Sequence, residues 1–200
     1  MCGILGILSS KAIDQTHFTN VLNQTLKHRG PDDFGVYQDT QITLGHRRLS
    51  IIDLAGGHQP MFNADRSKVI VFNGEIYNFK ALRAELEQKG LQFQSNSDTE
   101  VILKLHEAYS PEVALSKLNG IFAYALWDIK NRELIVARDH FGVKPLFYFQ
   151  NSQAVGFASE VSALQQLLPS AIDPVALRQF LFYEYIPAPR TIYQNIFKLE

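Results

Sequence analysis

Cys2-Gly-Ile-Leu-Gly-Ile-Leu8 follows Met1 directly and carries no charged side chain. A continuous apolar run of this length reads as a buried strand that begins at once. It falls well short of the roughly 20 apolar residues of a membrane span, and no cationic segment precedes it, as one would in a secretory signal. Its first residue is the single cysteine of the chain, so no intrachain disulfide can form. That agrees with a reducing compartment, and a cytoplasmic protein is expected.

Outward from this strand, Gln15 to His28 carries Phe18, Val21, Leu22 and Leu26 at helical spacing. His28-Arg-Gly-Pro-Asp-Asp33 reads as a loop. Strands are expected at Gly35–Gln38, Ile42–Arg48 and Lys68–Phe72, the last halting at the turn signal Asn73-Gly74. Phe79–Lys89 reads as a helix stopped by Gly90. Ser97-Asp-Thr-Glu100 fits a capping box that opens a second helix, and Pro111 opens a third. Two hairpins follow, Ile121–Asp128 with Glu133–Asp139 and Leu146–Gln150 with Ala154–Ser159, then helices at Val161–Leu168 and Asp173–Tyr183. Strands in adjacent pairs and helices in consecutive sets favour an α+β fold with largely antiparallel sheets. Residues 1–183 are expected to form one domain. The Pro-rich stretch around Ile186-Pro-Ala-Pro-Arg places a linker at 184–200, leading toward a further domain.

Composition supports this reading and excludes others. Of 200 residues, 46% are hydrophobic and 12% aromatic, enough for one sizeable core. The formal net charge is −1, so no basic surface calls for nucleic acid or anionic lipid.

Cys2 admits two readings. It can be a small buried hydrophobe at the head of a core strand, as most structural cysteines are. Alternatively, removal of Met1, which a small second residue permits, leaves one residue with both a thiol and a free α-amine. A thiol of pKa about 8.5 needs a base near neutrality. The α-amine, with a pKa of roughly 7.7–8.0, can accept its proton directly or through one water. The six histidines form no His-Glu-x-x-His and pair with no Cys-x-x-Cys, so no metal site is expected. Neither a Gly-x-Ser-x-Gly elbow nor a phosphate loop occurs. A cysteine protease using Cys2 with His28 or His46 is the alternative chemistry.

Six blocks stand in order: Met1-Cys-Gly-Ile-Leu-Gly6, His28-Arg-Gly-Pro-Asp-Asp33, His46-Arg-Arg-Leu-Ser-Ile-Ile-Asp53, Phe72-Asn-Gly-Glu-Ile-Tyr-Asn78, Ser97-Asp-Thr-Glu-Val-Ile102, and Arg138-Asp-His-Phe-Gly-Val-Lys-Pro-Leu-Phe-Tyr148. Together they resemble the N-terminal glutaminase domain of glutamine-hydrolysing asparagine synthetases. The resemblance runs from Cys2 to about Ala163 and resumes at Tyr185-Ile-Pro-Ala-Pro-Arg-Thr-Ile192. It implies an N-terminal nucleophile fold, a four-layer α-β-β-α sandwich of two stacked antiparallel sheets. It implies hydrolysis of L-glutamine to glutamate and ammonia, with Cys2 as nucleophile and its α-amine as base. Asn73 and Gly74 match the family's oxyanion hole, Arg48 the grip on the substrate α-carboxylate, and Asp98 the partner of its α-ammonium. Glu75, Leu49, Ser50, Ile51 and Ile52 align with residues lining the glutamine pocket. The Arg138–Tyr148 block is read as architectural, with no chemistry assigned.

The resemblance further implies that ammonia passes to a C-terminal, ATP-dependent synthetase domain of the same polypeptide. That domain's nucleotide loop is absent here, so ATP and magnesium belong to it and no cofactor is expected for this domain. A homodimer is left open; nucleic acid and membrane partners are not expected. Two alternatives differ in kind: a glutaminase serving another acceptor, such as a sugar, or a non-catalytic assembly domain. The second would be expected to have lost Cys2, Arg48, Asn73 or Asp98, and all four are present.

Overall fold

The computed structural model describes residues 1–49 and 57–200. Along these the chain forms β1 (Gly3–Ser9), α1 (Gln15–Leu26), β2 (Asp33–Gln38), β3 (Ile42–Arg48), β4 (Met61–Phe62), β5 (Lys68–Ile76), α2 (Phe79–Gln88), α3 (Asp98–Ala108), α4 (Pro111–Lys117), β6 (Gly120–Asp128), β7 (Glu133–Arg138), β8 (Phe147–Gln150), β9 (Ala154–Ala158), α5 (Val161–Leu167), α6 (Pro174–Tyr183) and β10 (Ile196–Lys198). One sheet has six strands in the order β10-β8-β9-β1-β3-β2, the other four in the order β4-β5-β6-β7. Every strand pairing is antiparallel.

Strand alternation sorts the apolar residues into three clusters. On β1, Ile4 joins Leu44 of β3, Val69 and Val71 of β5, Ala123, Ala125 and Trp127 of β6 and Phe157 of β9 in a core between the sheets. Leu5 and Ile7 face the other way, onto Phe18, Leu22 and Leu26 of α1 and Leu164 of α5. Ile70 and Phe72 of β5 turn outward onto α2, α3 and α4. The result is a four-layer α-β-β-α sandwich, the fold that the resemblance implies. Both faces of β1 are buried, which is why its sequence is apolar throughout rather than alternating.

Gly6 makes room for the ring of its cross-strand neighbour on β9. A Cβ there would lie 2.2 Å from Cζ of Phe157, so the Phe157 ring takes the space that a side chain would need. Among the polar side chains between the sheets is His46. It is fully buried, and its Nε2 lies 3.0 Å from the Phe72 carbonyl, tying β3 to β5 across the gap.

Two local expectations are revised, and one further strand is added. β5 does not halt at Asn73-Gly74 but runs on to Ile76, pairing Asn73 with Ala123 and Gly74 with Phe122. Gly74 is required by close approach rather than by a turn, since a Cβ there would sit 2.3 Å from the Ile121 carbonyl oxygen. At α3, Ser97 caps Thr99 N–H at 3.2 Å, but Glu100 does not complete the box. Its carboxylate accepts from the backbone N–H groups of Gln94 and Ser95 at 2.8 and 2.7 Å. Finally, the stretch 184–200 contains β10, which pairs with β8 along Ile196↔Phe149 to Lys198↔Phe147.

Candidate active site

β1 and β3 are neighbours, with Gly3 opposite Arg47 and Ile4 opposite His46. Continuing that register by one sets Cys2 beside Arg48 at the sheet's end. Alternation then fixes the directions. Arg48 shares the face of Ile42, Leu44 and His46, toward the space between the sheets. Arg47 points the opposite way, where Nε donates to the Gly30 carbonyl at 2.8 Å and Nη1 to Asn23 Oδ1 at 3.0 Å. Of two adjacent arginines, one anchors a loop and the other lines the cavity.

Cys2 is fixed from several sides. Its thiol lies 3.8 Å from the Leu49 carbonyl, and Leu49 N–H donates to Sγ at 3.5 Å. Its own carbonyl accepts from Arg29 Nε at 3.0 Å, and Arg29 Nη1 reaches Glu160 at 3.2 Å. Two residues on, Ile4 N–H donates to Ser159 Oγ at 3.0 Å. Burial pushes the Cys2 thiol up. The Leu49 N–H bond and the positive charges of the terminal amine, Arg48 and Lys144 pull it partly back.

Across the gap, β5 supplies Asn73 and Gly74. Asn73 shares the face of Val69 and Val71 and is 1% exposed. Its Nδ2 is buried and donates to no partner among the described residues. An orphaned amide donor in a buried setting is costly, so it calls for an acceptor delivered by a ligand. Asp98, the first residue of α3, is also buried, and its Oδ2 accepts from Ile76 N–H at 3.0 Å. Burial pushes its carboxyl above the usual range, and the charge of Glu75 acts in the same direction; backbone bonds from Ile76 and Thr99 oppose them.

These residues share a cavity of about 140 Å³, lined among others by Cys2, Arg48, Leu49, Asn73, Gly74, Glu75 and Asp98. That is small beside the roughly 300–1,000 Å³ of sites for drug-sized ligands. Its walls carry both signs of charge, Arg48 and Lys144 against Glu75 and Asp98. Such a cavity suits a small zwitterion with a carbonyl to be attacked. Among the described residues no group of three or more His, Cys, Asp or Glu side chains could hold a metal ion. No helix among them is long and apolar enough to cross a membrane.

Of the residues singled out from sequence, the cavity brings together Cys2, Arg48, Leu49, Asn73, Gly74, Glu75 and Asp98. Ser50, Ile51 and Ile52 lie outside the described residues. Sequence reasoning missed three others. Gln59 is buried in the cavity wall, where Phe72 N–H donates to its Oε1 at 2.6 Å and its Nε2 donates to Thr99 Oγ1 at 3.4 Å. Arg29 holds the Cys2 carbonyl, and Lys144 lines the cavity although its block was read as architectural. Arg29 and Lys144 left a signal through their places in the His28–Asp33 and Arg138–Tyr148 blocks, whereas Gln59 left none.

A thiol, an orphaned amide and paired charges in a four-layer sandwich define a class. The glutamine amidotransferase domain family matches residues 1–200, and the chain belongs to that family. Within it, the chain is 42% identical to asparagine synthetase [glutamine-hydrolyzing] 1 of Bacillus subtilis, over 100% of the chain and 32% of that protein. It is 42% identical to asparagine synthetase B of Escherichia coli, over 82% of the chain and 30% of that protein. The chain thus spans about a third of the length of these curated relatives. Among solved structures it is similar to the glutamine phosphoribosylpyrophosphate amidotransferase of B. subtilis complexed with ADP and GMP. The TM-score is 0.68 at 25% identity, covering 83% of this chain and 43% of that one.

Proposed function

We propose that this cavity hydrolyses L-glutamine to glutamate and ammonia through a thioester on Cys2. The observation that carries the reading is the buried, unpartnered Nδ2 of Asn73 in the same small cavity as the Cys2 thiol. Once Met1 is removed, the α-amine of Cys2 accepts the thiol proton and the sulfur attacks the side-chain carbonyl. The oxygen, now an anion, takes hydrogen bonds from Asn73 Nδ2 and the Gly74 N–H. Collapse breaks the C–N bond as the ammonium returns its proton to the leaving nitrogen. Water, deprotonated by the same amine, then splits the thioester to glutamate and restores the thiol. Arg48 holds the substrate α-carboxylate by its planar fork, and Asp98 holds the α-ammonium. Leu49 and Glu75, with Ser50, Ile51 and Ile52, would complete the pocket.

The ammonia would pass to an ATP-dependent asparagine synthetase domain, the relatives' names and their threefold greater length supporting that assignment. Residues 1–183 would be the glutaminase and 184–200 the start of the passage toward that partner, in the cytoplasm. ATP and magnesium would be needed only there.

The test is to incubate purified chain, with removal of Met1 verified by mass spectrometry, with L-glutamine and to assay glutamate. Release above background is expected, and none would refute the assignment. Protein retaining Met1 has an amide in place of the amine and should be nearly inactive. Comparable turnover by both forms would eliminate the amine as base.

A further inference from the structure

The Arg138–Tyr148 block, read from sequence as architecture, delivers a buried cation to the cavity. Lys144 is 9% exposed, and lysines are almost never that buried without a reason. It sits in the connection between β7 and β8, which is held from within by Asp139. Asp139 Oδ1 accepts from Val143 N–H at 2.9 Å, and Oδ2 accepts from Lys144 N–H at 3.0 Å and from Phe122 N–H on β6 at 3.2 Å. The Asp139 backbone closes the same unit, its N–H donating to the Phe122 carbonyl at 2.8 Å and its carbonyl accepting from Gly142 N–H at 2.9 Å. Burial opposes the Asp139 charge, yet these N–H groups hold its carboxyl below the usual range, so it remains ionised near neutrality. One carboxylate therefore pins the backbone of Lys144 to the strand beside Asn73 and Gly74, since β6 pairs Ala123 and Phe122 with them.

We infer that Lys144 is a positioning residue for the Cys2 chemistry: with its backbone held by Asp139 and its buried side chain in the wall of the cavity that Cys2 lines, its ammonium sets positive charge near the sulfur and favours the thiolate. This rests on the glutaminase reading of the site. The charges acting on the sulfur are the amine of the preceding Met1, Arg48 from β3 and Lys144 from the β7–β8 connection. Glu75 of β5 and Asp98 of α3 are the acids lining the same cavity. On this reading Arg48 turns to the substrate carboxylate once glutamine binds, whereas Lys144 offsets the burial of the thiol both before and after binding. Its field acts before glutamine arrives, whereas a lysine that bound the substrate carboxylate would act only afterwards.

The test is the pH dependence of Cys2 alkylation by iodoacetamide, in the absence of glutamine, for wild type, Lys144→Met and Lys144→Arg. A neighbouring opposite charge commonly moves a titration by about one unit or more. Lys144→Met should therefore raise the alkylation midpoint by roughly half to one pH unit, slowing the reaction at pH 7 about three- to tenfold. Lys144→Arg should restore most of it. Circular dichroism and thermal melts identify any variant that fails to fold, and Lys144→Gln is the substitute in that case. An unmoved midpoint in a folded, charge-removed variant would overturn the inference. So would a raised KM for glutamine with normal kcat and alkylation, which would make Lys144 a substrate ligand. Alkylation needs no turnover, so failure of the glutaminase reading would show in the glutamate assay alone.

Discussion

His46 Nε2 donates to the Phe72 carbonyl across 3.0 Å, joining β3 to the residue just before Asn73 on the facing sheet. Because a carbonyl only accepts, the proton must sit on Nε2, and Nδ1 is left buried without a partner among the described residues. Burial pushes this imidazole down to about 3. His106, buried with its Nε2 2.9 Å from the Tyr124 hydroxyl, is pushed by burial to about 4.

The sign of the resulting pH dependence follows. Unfolded imidazoles titrate near about 6.5, above both folded values, so below that pH the unfolded chain binds more protons than the folded one. Stability is complete above about pH 6.5 and should fall by about 1 kcal/mol per histidine for each pH unit below it. Urea midpoints at pH 7, 6 and 5 check this. His46→Gln should flatten the slope, and a pH-independent midpoint in the parent chain would contradict it.

Asn73→Ala should lower kcat by about 10²–10³ with little change in KM, the usual effect of losing one donor aimed at a developing oxyanion. Deleting an orphaned donor should not lower the melting temperature. A fall in stability without a fall in kcat would mean that Asn73 serves the fold alone.

Arg48→Lys and Arg47→Lys should separate cleanly. At position 48 the loss of one charge-assisted bond, about 1.5–3 kcal/mol, should appear as a roughly tenfold to hundredfold rise in KM. At position 47 the grip on Gly30 and Asn23 is weakened, so stability should drop by about 1–2 kcal/mol with KM nearly unchanged. Steady-state kinetics beside denaturation curves decide between them.

Asp98 must be ionised to hold an ammonium, and its carboxyl titrates above the ordinary range because it is buried. KM for glutamine should therefore rise on acidification earlier than an ordinary aspartate would cause. Asp98→Asn, which preserves an oxygen for Ile76 N–H, should raise KM and abolish that acid limb. A variant whose acid limb matched wild type would assign the titration elsewhere.

Gly6→Ala would force a methyl to within 2.2 Å of the Phe157 ring. Overpacking of this kind costs about 1–3 kcal/mol, and Phe157→Leu in the same chain should recover part of it. Strict additivity of the two changes in a double-mutant cycle would refute the contact.

Much of the fold was legible because hydrophobic period alone marks most of these strands and helices. β10 was not, since three residues whose burial depends on meeting β8 carry no pattern of their own. Asn73-Gly74 misled for a related reason: the same pair that makes a turn also suits a strand where another backbone presses close. The resemblance points to Arg48, and the alternation of β3 turns Arg48 toward the cavity and Arg47 away from it. Lys144 was passed over because its burial depends on the packing of its block against β6, which lies outside any local window.

The register of β1 sets a timetable. Leu5 pairs with Ala158 on one side and Gly45 on the other, so the strand stays half-open until the ribosome has delivered β9. At roughly 5–20 residues per second the new amino terminus remains free for something like ten to thirty seconds. During that interval a peptidase can reach Met1, and because Met1 stays 54% exposed in the folded chain, trimming can also proceed after the sheet has closed.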